Sequence, residues 1–60
     1  MRYFVITDEN GQEKEQQFNQ HRAADIAFEQ AIKRRVFSVD LWVMSDCEDI
    51  EPKILRSWER

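Results

Sequence analysis

Apolar residues fall along this chain in blocks, and the spacing within each block predicts an element. Arg2–Thr7 carries Tyr3, Phe4, Val5 and Ile6, aromatic or β-branched at both parities. Such a run predicts a strand inside a sheet. Asp8-Glu9-Asn10-Gly11 follows, and Asn-Gly is the strongest short hairpin signal because both central positions of a type I′ turn need positive φ. Gly11 is the sole glycine of the sequence, so its placement here is informative. The return run Gln12–Phe18 is polar until Phe18 and predicts an edge strand, on which Glu13, Lys14 and Glu15 discourage unwanted pairing.

Beyond it the period changes. Asn19 is a suitable N-cap, and Gln20–Arg35 has helical spacing. At about 100° per residue, Ala23, Ala24, Ala27, Phe28, Ala31 and Ile32 share one half of the wheel. Arg22, Asp25, Glu29 and Lys33 share the other, with Ile26 as an apolar intruder. Glu29 and Lys33 stand in the favourable i, i+4 order. Lys33, Arg34 and Arg35 fall in the last turn, where cations complement the helix dipole. The stripe is mostly alanine, which lets the helix lie close to a sheet.

Val36–Ser45 predicts the strongest strand, with Phe37, Val39, Leu41 and Val43 on the parity expected to face the helix. The other parity holds Val36, Ser38, Asp40, Trp42 and Met44, a mixture that solvent exposure alone would not select. An acidic connection, Asp46 to Pro52, leads to Lys53–Glu59. Its alternation predicts a fourth strand hairpinned to the third, although Ile54 and Trp58 also stand four apart, as in a short helix opening at Pro52. The expected fold is α+β: a small antiparallel sheet with one helix packed on one face, in the order β-β-α-β(-β), as a single domain over residues 1–60.

Composition bounds the function. Charged residues make up 35% and hydrophobic residues 42%, too apolar for a disordered chain and too polar for a membrane one. No apolar stretch exceeds four residues, the length of Leu41–Met44, so nothing spans a bilayer. The N-terminal residues lack a signal peptide's apolar run and cleavage site, and Met1 reads as a native start. A lone cysteine, Cys47, forms no internal disulfide. A cytoplasmic protein is therefore expected. For 60 residues, apolar burial contributes about 90 kcal/mol at about 25 cal/mol per Å². Ordering the chain costs about the same. The near-zero balance favours a partner.

Candidate chemistry is sparse. His21 and Cys47 are the only soft metal ligands and lack the paired spacing zinc requires. Asp46, Glu48 and Asp49 surround Cys47 and disfavour a thiolate. Counted from Asp46, Glu51 and Ser57 occupy the positions where a calcium loop needs Gly and Glu. Asp40, mid-strand between Val39 and Leu41, is expected to pair with Arg56 or another base on a neighbouring strand. No catalytic, metal or cofactor site is expected. Arg22, Lys33, Arg34 and Arg35 supply cations for a nucleic-acid contact, but the net charge is −3, and the helix dipole accounts for the last three. Glu13, Glu15, Asp46, Glu48, Asp49 and Glu51 suggest an acidic DNA mimic, diluted by nine basic residues.

The sheet carries the leading expectation. One helix covers one face, so the other keeps Tyr3 and Val5, or Phe4 and Ile6, according to which parity of the first strand meets the helix, together with Trp42 and Met44. The patch is assigned to Tyr3, Val5, Trp42, Met44 and Trp58, and Trp, Tyr and Met are residue types enriched at interfaces. The competing expectation folds the C-terminal segment over that face. In size and composition the chain resembles the small accessory proteins of phages and prophages, a generic likeness that implies action by binding a host protein. A non-enzymatic binding module is thus expected, an inhibitor or adaptor whose partner is another protein or a second copy of the chain. The acidic loop (Asp46, Glu48, Asp49, Glu51) would steer it toward basic surfaces.

Overall fold

The computed structural model describes residues 1–47 and 49–60. Strands β1 (Arg2–Glu9) and β2 (Gln12–Phe18) form the first hairpin, helix α1 (His21–Lys33) follows, and β3 (Ser38–Met44) and β4 (Lys53–Glu59) close the chain. All pairings are antiparallel and the sheet order is β2-β1-β3-β4. The α+β architecture is the one expected, and the C-terminal segment is a strand. Asn10 (φ 54°) and Gly11 (φ 77°) make the two-residue turn, with Glu9 opposite Gln12. Both φ values are positive, as a type I′ turn demands.

The core lies between the helix and the central strand pair. Ala24, Phe28 and Ala31 meet Val5, Val36, Val39 and Leu41, all buried. Val5 stands opposite Leu41 and Thr7 opposite Val39, so one parity of each strand supplies this layer. Tyr3, Phe18, Ala27, Ile32 and Trp58 pack at its margin. The slab is thin, with Cα extents of 34 × 21 × 15 Å. It exposes 4682 Å², against about 4,200 Å² for a compact chain of this mass.

Both helix ends differ from expectation. The N-cap is Gln20 rather than Asn19, and its side chain makes no capping bond. Arg34 is the C-cap, and Arg35 adopts φ 58°. The Val36 amide donates to the Ala31 carbonyl (3.4 Å) and the Arg35 amide to that of Ile32 (3.0 Å). These two bonds define a Schellman stop, with Val36 and Ala31 as its buried apolar contact. Val36 therefore belongs to the helix stop and core. Phe37 also falls outside β3 and is 53% exposed, although its amide donates to the Asp8 carbonyl at 2.9 Å and its carbonyl accepts from the Arg60 amide at 2.8 Å.

Two substitutions should stabilise the fold. Gln20→Asp supplies the missing cap and is expected to add about 1 kcal/mol. Arg35→Gly removes the left-handed penalty of an L-residue and is expected to add about as much. Urea midpoints raised without a change in slope would agree. A fall in either midpoint would contradict the corresponding end geometry.

Candidate functional site

Register decides which side chains share the uncovered face. Residues directly opposite in an antiparallel pair point the same way, and Val5, Thr7, Val39 and Leu41 point toward the helix. The opposite parity forms the open face. Its first row is Gln17–Phe4–Trp42–Ile54 and its second is Glu15–Ile6–Asp40–Ser57. A third runs Glu13–Asp8–Ser38–Glu59, and Met44 stands opposite Arg2 at the other end. A register shift in β4, between the partners of Leu41 and Trp42, brings Ile54 into line with Trp42.

Toward one end this face is mostly apolar. Phe4, Ile6, Trp42 and Met44 are half-buried and, with Pro52 and Glu15, line a shallow groove. The described C-terminal strand does not cover it, since β4 extends the sheet at its edge. Three residues assigned to the patch from sequence lie on the helix side instead. Val5 is core, 1% exposed. Tyr3 stacks on His21 with ring centroids 5.2 Å apart, and Trp58, opposite Val39, packs against the core. Trp42 and Met44 do lie on the open face, where Phe4 and Ile6 take the places given to Tyr3 and Val5. A signal for this was present: a two-residue turn fixes the hairpin register, which pairs Tyr3 with Phe18. Phe18, the one apolar residue of β2, requires the core.

The other end of the face is mostly acidic. Asp8, Glu13, Glu15, Asp40 and Glu59 share its two remaining rows, with Asp8 directly opposite Glu13. Ser57 donates from Oγ to Asp40 Oδ1 at 2.7 Å. Asp40 does not pair with Arg56, because the two lie on opposite faces. Arg56 lies over the Phe28 ring (4.4 Å to the centroid) and donates to Asp25 (2.9 Å) and Glu29 (2.8 Å) of the helix. The Asp25 hydrogen bond first, then that of Glu29, raises the pKa of its guanidinium. This cation ties β4 to the helix. Glu29 thus reaches across to β4 for a cation, as well as standing four residues before Lys33.

The remaining sequence candidates are dispersed. Asp46, Asp49 and Glu51 are exposed in the loop before β4, and Glu48 lies outside the described residues. His21 opens the helix, whereas Cys47 is an exposed thiol in that loop. Among the described residues, no group of three His, Cys, Asp or Glu could hold a metal. Arg34 and Arg35 gather with Arg60 around Phe37, beside Asp8 and Glu9. Arg22 and Lys33 line a groove on the outer helix face with Asp25, Ile26 and Glu29. Each basic group is interleaved with carboxylates. Among the described residues, no helix is long and apolar enough to cross a membrane.

No protein-family model matches the chain, and neither does any curated protein or solved structure.

Arg56→Met keeps an apolar stem over Phe28 but deletes both ion pairs. It is expected to lower the thermal midpoint by a few degrees at low salt and by less at high salt. An unchanged midpoint at low salt would show that the clamp contributes nothing to holding β4.

Proposed function

We propose that this protein is a small non-enzymatic binding module, an inhibitor or adaptor that works by seating the open face of its sheet on a protein surface. The observation that supports it is the placement of Phe4, Ile6, Trp42 and Met44 together on a face that neither the helix nor β4 covers. Tryptophan and methionine in a shallow apolar groove match the composition of interface anchors. In this reading Trp42 is the central anchor, with Phe4, Ile6 and Met44 around it. In this reading the protein acts in the cytoplasm on a host protein, as its likeness to phage and prophage accessory proteins implies. The interleaving of Arg22, Lys33, Arg34 and Arg35 with carboxylates favours this reading over nucleic-acid binding.

Trp42→Ala tests the proposal. The variant is expected to keep its circular dichroism, losing about 1 kcal/mol or less of stability as one cross-strand pair is truncated. It should lose at least about tenfold in affinity for proteins that the parent chain captures from source-cell lysate, the effect of removing a hot spot. Capture of the same proteins with equal affinity would overturn the reading. Global unfolding of the variant would assign Trp42 to the core and overturn it equally.

A further inference from the structure

We infer that the occupant of the open face is a cationic amphipathic segment of another protein, with apolar side chains on the Trp42 half and lysines or arginines on the Asp8–Glu13 half. The inference rests on the open-face reading above and adds the chemistry of the partner.

The two ends of the face differ, and Ile6 and Glu15 stand where they meet. Phe4, Ile6, Trp42 and Met44 line the groove toward one end, where Arg2 stands opposite Met44. Asp8, Glu13, Glu15, Asp40 and Glu59 take five of the eight positions in the two rows toward the other, beside Ile6, Ser38 and Ser57, with no lysine or arginine in either row. Neighbouring strands are about 4.8 Å apart, so these carboxylates lie within or near the screening length of about 8 Å at physiological salt, and their fields add. Like charges directly opposite on a sheet oppose folding, yet Asp8 faces Glu13. A cationic partner would relieve that repulsion. The nearest gathered cations, Arg34, Arg35 and Arg60, surround Phe37 at the end of the sheet with Asp8 and Glu9. They lie outside the rows.

Charge also decides against a second copy. Overlap of the full faces would set carboxylates against carboxylates or, with one copy turned end for end, bury them against the apolar groove. Overlap of the apolar halves alone leaves a contact of a few side chains per protomer, well below the roughly 800 Å² per partner of a stable interface. A cationic segment engages both halves at once.

Three labelled peptides of one amphipathic helical sequence test this, with leucines on one face and lysines, glutamines or glutamates on the other. Fluorescence anisotropy is expected to show the lysine peptide binding at least tenfold more tightly than the glutamine peptide, with no binding of the glutamate peptide. Glu13→Lys with Glu15→Lys should weaken the lysine peptide at least tenfold. Asp46→Lys with Glu51→Lys, an equal change in net charge placed in the loop, should alter it less than threefold. Equal losses from the two double variants would mean that only net charge matters, and would overturn the inference. Equal binding of lysine and glutamine peptides, abolished by Trp42→Ala, would overturn the charge selection and leave the open-face reading standing. Binding indifferent to Trp42→Ala would overturn both. A dimer in light scattering at micromolar concentration would replace the cationic segment with a second copy.

Discussion

A single thirteen-residue helix has to shield a four-stranded sheet, and it can shield one side. Everything else in the molecule follows from how that side is packed. Ala24 and Ala31 bring the helix backbone close to the sheet, and Phe28 fills the space between Val5, Val39 and Leu41. The Schellman stop at Arg35 then returns the chain through Val36 into β3. The buried centre is small. The slab geometry leaves more surface in water than a rounder chain of equal mass would, and the second face contributes to that excess.

Polar interactions secure the edges. Arg56 is the main example, its guanidinium over Phe28 and forked between two helical carboxylates. Without it, β4 would be held by its pairing with β3 and by Trp58 at the margin of the core. On the opposite edge, β2 contributes Phe18 to the core margin and otherwise presents charge and amide to water. These edges differ in hydrophobicity as well as position: Ile54 and Leu55 of β4 are exposed, whereas β2 is guarded by Glu13, Lys14 and Glu15.

Local chemistry made much of this fold legible. Asn10-Gly11 specified the hairpin, the alanine-rich stripe specified the buried helix face, and the Val39–Leu41 alternation specified the covered face of β3. The difficulties arose where long-range register decides. Tyr3-Phe4-Val5-Ile6 is apolar at both parities, so the strand by itself does not reveal which side meets the helix. Pairing with Phe18 and Leu41 does. The acidic rows were hidden for the same reason: Asp8, Glu13, Asp40 and Glu59 are scattered in sequence and come together only when four strands are aligned. Asn19 was the better cap by residue type, yet the chain enters the helix one residue later. Arg56 was matched to Asp40 by charge, but strand parity sends it to the other layer.

In the isolated protomer the Trp42 side of the sheet is open to water. Trp58→Phe leaves Trp42 as the sole indole, and acrylamide quenching of its emission then reports on that face. A red-shifted, readily quenched emission is expected from a chain that light scattering shows to be monomeric. A blue-shifted emission resistant to quenching in that same monomer would contradict it.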